Sequence, residues 1–165
     1  MKLLRAARCF FTGHRIISND DKEFLFERIK NLVSELEEKG IYEFYAGGAL
    51  GFDYIASKAV IEVKKKKPHI CLRLLLPCYG SEKKWHHNQK YEFQMLKVHS
   101  DSIEYVSEEK YYDGCMQKRN ITMAEQCGTC IAFCKNERSG TKKTMDYAES
   151  VGCLVINLAE QKRGK

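Results

Sequence analysis

The sequence predicts an α/β fold in which helices cover a mainly parallel β-sheet. Apolar runs typical of buried strands alternate with amphipathic, helix-like stretches along the 165 residues, no linker or repeat interrupts the alternation, and glycine-bearing loops follow several of the strand-like runs. A chain of this length buries about two-thirds of the surface that it exposes when unfolded. We therefore expect one domain spanning residues 1–165.

The first strand and helix are predicted from residues 9–40. The run CFFT at residues 9–12 indicates strand one. Ser18, Asn19 and Asp20 offer helix caps, and Gly40 is a typical helix stop. Between them, apolar residues recur at the spacing of one helix face: Leu25, Ile29, Leu32 and Leu36.

The rest of the chain repeats this alternation. Strand-like runs are expected at residues 42–48, 69–77, 102–107, 129–134 and 153–158. Helices are expected at residues 52–63, in the second half of 85–98, at 116–126 and at 141–150. The first of these has an apolar face made of Phe52, Ile55, Ala59, Val60 and Val63.

Composition excludes several classes of protein. Arg5, Arg8 and Arg15 interrupt any signal-peptide core, and no apolar run reaches membrane-spanning length. We expect a soluble, cytoplasmic protein with no membrane partner, whose eight cysteines are reduced thiols. The formal net charge of +6 suits anionic ligands and also fits an ordinary soluble surface. The basic runs at residues 64–67 and 161–165 are interpreted as solvated ends.

Three glycine-bearing loops follow strand-like runs: TGHR at residues 12–15, AGGALGFD at 46–53 and NERSGTKKT at 136–144. In a parallel sheet these loops meet at one edge, where glycine lets backbone N–H groups approach a ligand and each helix presents its positive N-terminal end. Together they predict a phosphate or ribose cradle, although each alone also fits a tight turn. None matches the dinucleotide fingerprint or the P-loop, which argues against a nicotinamide dehydrogenase and a triphosphate-hydrolysing motor.

Five motifs in the same order resemble the YpsA-like branch of the SLOG superfamily: FFTGHR, AGGALGFD, LPCYGSEKKW, YYDGCMQKRN and ERSGTKKTMDYA. The resemblance covers about residues 8–158 and implies a Rossmann-like, three-layer fold with a mainly parallel sheet. The superfamily includes cytokinin-activating phosphoribohydrolases and the DNA-processing protein DprA. The resemblance implies that the protein binds a nucleotide or a nucleotide-derived small molecule. We expect it to act as a sensor or regulatory module.

One departure from the phosphoribohydrolases bears on activity. Their P-G-G-x-G-T-x-x-E motif supplies a catalytic glutamate, whereas here Lys143 and Thr144 follow the Gly140–Thr141 pair and no acid stands at the matching position. We therefore expect binding rather than hydrolysis of nucleoside monophosphates. The alternative is a hydrolase that cleaves an N-glycosidic or phosphate bond, with Glu137 or Asp53 as the acid. The sequence has no surface pattern of alternating aromatic and basic residues, which argues against a nucleic-acid partner. The oligomeric state is not predicted, and a homodimer is left open.

The predicted ligand-binding residues come from these motifs. Arg15 is interpreted as a phosphate ligand or as the cap of a turn, and His14 as a base contact or a structural residue. Asp53 fits a helix cap as well as a ribose contact. The resemblance assigns Arg119 to phosphate and Asn120 to a sugar or base, late in their helix; the alternative is a salt bridge on the helix surface. The full set is Thr12, Gly13, His14, Arg15, Gly47, Gly48, Gly51, Asp53, Arg119, Asn120, Ser139, Gly140, Thr141 and Thr144.

No metal site is expected. Cys127, Cys130 and Cys134 have a zinc-like or redox-like spacing, but no second ligand pair accompanies them, and two fall within a buried strand-like run. They are interpreted as small core residues. His86 and His87 point to different sides of a helix, so the Trp85–His87 cluster is interpreted as a loop rather than as a metal or stacking site.

Overall fold

The structure is a computed structural model that describes residues 2–108 and 110–160. Its strands are β1 (Arg8–Gly13), β2 (Glu43–Ala46), β3 (Cys71–Leu76), β4 (Ser102–Tyr105), β5 (Thr129–Phe133) and β6 (Leu154–Asn157). Its α-helices are α1 (Lys2–Ala6), α2 (Asn19–Glu38), α3 (Phe52–Lys64), α4 (His87–His99), α5 (Cys115–Gln126) and α6 (Gly140–Ser150). A 3₁₀ turn follows at Leu158–Glu160.

The six strands form one sheet in the order β4-β3-β2-β1-β5-β6, and every neighbouring pair is parallel. The chain moves outward from β1 through β4 on one side and then returns to place β5 on the other side of β1. This reversal leaves a crevice between the loops after β1 and β5, which is where open parallel sheets bind ligands. The predicted parallel α/β architecture is confirmed.

Alternation along β1 divides the core into two parts. Cys9 and Phe11 pack in the cluster that contains the apolar faces of α2, α3 and α4, whereas Phe10 packs in the cluster with residues of α5 and α6. All three side chains are fully buried. Successive residues of a strand point to opposite faces, so a buried strand of this kind requires a helical layer on each side. The predicted three-layer arrangement is therefore present.

Most predicted boundaries lie close to those of the structure, and three differ. The α1 helix was not predicted, although Arg5 within it donates to the carbonyl oxygens of Cys127 and Val151 at the ends of α5 and α6. The α4 helix begins at His87, so it fills most of residues 85–98 and not only the second half of that region. The α5 helix begins at Cys115, so Arg119 and Asn120 lie in its second turn and not late in the helix.

The lysine run at residues 64–67 is not simply solvated. Lys64 forms an ion pair with Asp101, and Lys67 pairs with Glu37 at 2.7 Å. The basic run at 161–165 lies outside the described residues. None of the described helices is long and apolar enough to cross a membrane.

Candidate functional site

A cavity of about 300 Å³ opens at the reversal between β1 and β5; we call it the switch-point cavity. Its walls come from the loops after β1, β2, β3 and β5 and from α5. All but two of the predicted ligand-binding residues line it: Thr12, Gly13, His14, Arg15, Gly47, Gly48, Asp53, Arg119, Asn120, Ser139, Gly140 and Thr141. The three glycine-bearing loops therefore meet around one space.

The two remaining predicted residues lie outside this cavity. Gly51 precedes α3 with a φ of 76°, and a Cβ atom there would overlap the carbonyl oxygen of Arg15. Thr144 is buried, and its hydroxyl donates to the carbonyl oxygen of Gly140 at 3.0 Å. Gly51 thus fixes the approach of two loops, whereas Thr144 makes a bond within α6.

The end of β1 is shaped by packing. A Cβ atom on Gly13 would overlap the ring of Phe52, which is fully buried and stacks on Phe133 with ring centroids 6.1 Å apart. Gly13 therefore allows the first turn of α3 to approach β1. The contact with Phe52 is enough to explain why a glycine occupies this position, whether or not a ligand approaches Gly13.

His14 joins the two loops that flank the reversal. Its Nε2 accepts a hydrogen bond from the backbone N–H of Lys135 at 2.8 Å, and its ring lies edge-on to Phe133. Burial and the positive charge of Lys135 lower the pKa of His14 below its usual value. The neutral imidazole is thus the form that holds the loops together.

We expect stability to fall in mild acid because of His14. The unfolded pKa is about 6.5 and the folded pKa is lower, so the contribution of neutral His14 is complete above the unfolded pKa and is lost as the pH falls through the folded pKa. Urea denaturation across about pH 5–7.5 should show this decline in the free energy of unfolding. In His14→Asn the decline with falling pH should be smaller. The exposed His87→Asn is the control. An unchanged pH profile in His14→Asn would contradict this role.

Asp53 organises the loop after β2. It is 6% exposed, and its Oδ2 accepts hydrogen bonds from the backbone N–H groups of Gly47 at 3.0 Å and Ala49 at 3.3 Å. Its Oδ1 is buried with no hydrogen-bond partner among the described residues. Burial raises the pKa of Asp53, and the positive charge of Arg119 opposes that shift. A buried acceptor without a partner is costly, so Oδ1 indicates a missing donor.

Arg119 brings a buried cation to the cavity. Its side chain is 5% exposed; Nη1 donates to the carbonyl oxygen of Gly47, and Nε donates to Oδ1 of Asn120 at 2.8 Å. Among the residues that the structure describes, no carboxylate forms an ion pair with it; the charge of Asp53 acts from a greater distance. Burial lowers the pKa of Arg119. A buried guanidinium with unused N–H groups favours an anion in the cavity.

The N-terminus of α6 forms another part of the cavity wall. Ser139 caps the helix, because its Oγ accepts from the N–H of Lys142 at 3.2 Å and donates to the carbonyl oxygen of Asn136 at 2.6 Å. The backbone N–H groups of Gly140 and Thr141 have no partner within the helix. Both residues line the cavity, and the helix dipole makes this end positive.

Sequence reasoning missed part of the wall. Trp85 lies on the segment between β3 and α4, packs edge-on to Phe93 and has the guanidinium of the exposed Arg15 at 6.0 Å from its ring centroid. The motif LPCYGSEKKW was the available signal, but without the fold Trp85 looks like part of a loop. The other missed lining residues are Phe11, Ala49, Pro77, Ser81 and Met116.

The cysteine and histidine clusters lie in different parts of the fold. Cys127 and Cys130 are fully buried in the core, and Cys134 is half-buried beside the cap of α6. His86 caps the N-terminus of α4. Within residues 2–108 and 110–160, no group of three or more His, Cys, Asp or Glu side chains is arranged to hold a metal ion.

An all-parallel sheet in this order, with a glycine-lined cavity at its reversal, defines a Rossmann-like α/β protein. The chain belongs to the YspA SLOG family, whose sequence profile matches residues 11–151. It is 32% identical over 139 residues to the uncharacterized SPbeta prophage-derived protein YoqJ of Bacillus subtilis (strain 168), covering 78% of this chain and 80% of that protein. It is 27% identical over 149 residues to a UPF0398 protein of Leuconostoc citreum (strain KM20), covering 86% and 78%.

Solved structures show the same fold. DNA processing protein A of Helicobacter pylori, studied for its single-stranded DNA binding mode, matches with a TM-score of 0.67 at 19% identity, covering 98% of this chain and 70% of that chain. The Streptococcus pneumoniae protein DprA matches with a TM-score of 0.65 at 22% identity, covering 93% of this chain and half of that one (50%). At these identities the likeness concerns the fold alone.

Proposed function

We propose that this protein binds a nucleotide or nucleotide-derived small molecule in the switch-point cavity, as a sensor or regulatory module. The observation that carries the proposal is the buried guanidinium of Arg119, which lines the cavity without an ion-pair partner among the described residues. A buried cation is costly unless it is compensated, and an anionic ligand supplies the compensation.

The phosphate belongs between Arg119 and the N-terminus of α6. Arg119 keeps N–H groups beyond those that donate to Gly47, Asn120 and the sulfur of Met116. Gly140 and Thr141 offer backbone N–H groups at the positive end of a helix. Charge-assisted hydrogen bonds from two directions fit a phosphate better than a carboxylate, because a phosphate presents more acceptor oxygens.

The rest of a nucleotide fits the other walls. Asp53 Oδ1 lacks a donor, and a ribose hydroxyl supplies one. Trp85 offers an aromatic face for a base, next to the guanidinium of Arg15. The volume of about 300 Å³ is at the lower end of ligand cavities, which suits a single nucleotide.

Two other activities are outcomes of the same test. Asp53 is the candidate acid of a hydrolase, because burial raises its pKa and its side chain lines the cavity. Glu137 is exposed and does not line the cavity. Single-stranded DNA is the second alternative ligand, because DNA processing protein A, which was studied for its single-stranded DNA binding mode, shares the fold. This likeness weakens the expectation that nucleic acid is not a partner. Product formation by chromatography would favour the hydrolase, and preference for oligonucleotides would favour nucleic acid.

We expect Arg15→Ala to weaken nucleotide binding by about 10- to 100-fold, or roughly 1.5–3 kcal/mol, because it removes a charge-assisted bond at the mouth of the cavity. Calorimetry with a nucleotide panel measures the loss, and quenching of Trp85, the only tryptophan in the chain, reports occupancy of the cavity. Unfolding of the ligand-free variant should barely change, since Arg15 is exposed.

Arg138→Ala is the matched control, because Arg138 is an exposed arginine on the neighbouring loop and does not line the cavity. Parent-like affinity in Arg15→Ala, combined with a melting temperature several degrees lower, would mean that Arg15 is a structural cap. Absence of binding by any nucleotide in the panel would defeat the proposed function.

A further inference from the structure

A second and larger cavity adjoins the switch-point cavity. It has a volume of about 830 Å³ and lies among the first turns of α2, α3 and α4; we call it the helical cavity. Arg15 lines both cavities, so the two spaces meet at its side chain. A group bound beside Arg15 would therefore border both cavities.

The chemistry of the helical cavity resembles that of the first. Phe26 and Tyr54 have half-buried aromatic rings in its wall. Lys58 Nζ lies 4.9 Å from the Tyr54 ring centroid and 6.0 Å from that of Phe26, and Lys30 Nζ lies 4.8 Å from the Phe26 ring centroid. Ile16 is 91% exposed at the rim, an apolar side chain that the described part of the chain leaves uncovered. Aromatic and apolar surface beside a cation suits a stacked base with a phosphate nearby.

The charge of the residues that line the helical cavity limits the number of phosphates that an occupant can carry. Arg15, Lys22 and Lys58 line the helical cavity together with Glu23 and Glu92, so three cations face two carboxylates. The described residues show no ion pair at any of the three cations. A net charge of one suits one or two linking phosphates, whereas a nucleic-acid strand, with a phosphate at every nucleotide, needs a more strongly basic groove.

We propose that the ligand is a small molecule of two nucleoside units joined through phosphate, with one unit in the switch-point cavity, the linking phosphates beside Arg15 and the second unit against Phe26 and Tyr54. This inference rests on the proposed function, since it extends the ligand of that site. It assigns a binding role to the helical cavity, which single-nucleotide binding leaves empty.

The test compares ligands of one and two units. AMP, GMP, CMP and UMP are each titrated beside the symmetrical pyrophosphate-linked dimer of the same nucleoside and a single-stranded 12-mer of the same base. We expect one dimer to bind about tenfold or more tightly than its monomer, because the second cavity adds contacts without a second association cost. Trp85 quenching reports occupancy of the first cavity in every titration.

Variants separate the two cavities. The double variant Lys22→Ala, Lys58→Ala removes exposed side chains, so folding should be retained. It should reduce the affinity for the dimer about tenfold and leave the affinity for the monomer unchanged. Lys39→Ala, an exposed lysine beyond the opposite end of α2, is the control and should change neither.

Three results would overturn the inference: equal affinities for monomer and dimer, an equal loss for both in the double variant, or a 12-mer that binds more tightly than the dimer. In the first two cases monomer binding with Trp85 quenching leaves the proposed function standing, whereas tighter binding of the 12-mer favours nucleic acid over the proposed function. If neither monomers nor dimers bind or quench Trp85, the proposed function and this inference both fail.

Discussion

Gly140→Val is expected to abolish nucleotide binding and to leave the fold intact. Gly140 lines the switch-point cavity at the first residue of α6, and a Cβ atom there meets no atom within 4 Å. A Cβ atom is therefore accommodated without a clash, and the valine side chain occupies the space in which a phosphate approaches the helix N-terminus. We expect a loss of about 100-fold or more in affinity, or roughly 2.7 kcal/mol.

Isothermal calorimetry with the best nucleotide of the panel measures this loss, and thermal unfolding of the ligand-free protein checks the fold. Glu149→Val is the matched control, since it places the same side chain at an exposed position near the other end of α6. Undiminished binding by Gly140→Val would mean that no ligand approaches α6. A large fall in melting temperature would instead mean that the space beside Gly140 is not free.

Asp53→Ala is expected to lower the free energy of unfolding of the ligand-free protein by about 2–4 kcal/mol. The change removes the acceptor for the N–H groups of Gly47 and Ala49, which lie in a largely buried loop. It also removes the carboxylate whose charge most opposes the effect of burial on Arg119. A buried guanidinium left with less compensation destabilises the folded state.

Urea denaturation at neutral pH measures this loss. Asp53→Asn keeps an oxygen acceptor without the charge and should lie between the parent protein and Asp53→Ala. Asp113→Ala removes an exposed carboxylate and is the control. A loss below about 0.5 kcal/mol in Asp53→Ala would show that the loop is held by other contacts.

The convergence of the three glycine loops was predictable because it depends only on strand direction. Once the strands containing Phe11, Phe44 and Ile131 are parallel neighbours, the loops that follow them emerge at the same edge of the sheet. The alternation of apolar runs with amphipathic stretches is enough to predict that geometry. The predicted residues of these loops, apart from Gly51 and Thr144, accordingly line one cavity.

The roles of individual residues were less predictable, because they depend on partners that are distant in sequence. Gly13 precedes Phe52 by 39 positions, and only the fold shows that the ring of Phe52 fills the space where a Cβ would lie. His14 likewise reads as a ligand contact or a turn residue until its bond to Lys135, 121 residues away, is seen. Local sequence contains no information on such contacts.

The sequence by itself determined the α/β class, the parallel sheet, the edge at which the loops meet and the family, because these follow from periodicity and from the order of motifs along the chain. Only the tertiary structure decided that Arg119 is a buried cation beside the cavity, that Asp53 Oδ1 lacks a donor and that Trp85 forms a wall. The physical reason is that burial, hydrogen-bond satisfaction and the proximity of charges are properties of the packed chain. They depend on distances across the sheet that no local pattern specifies.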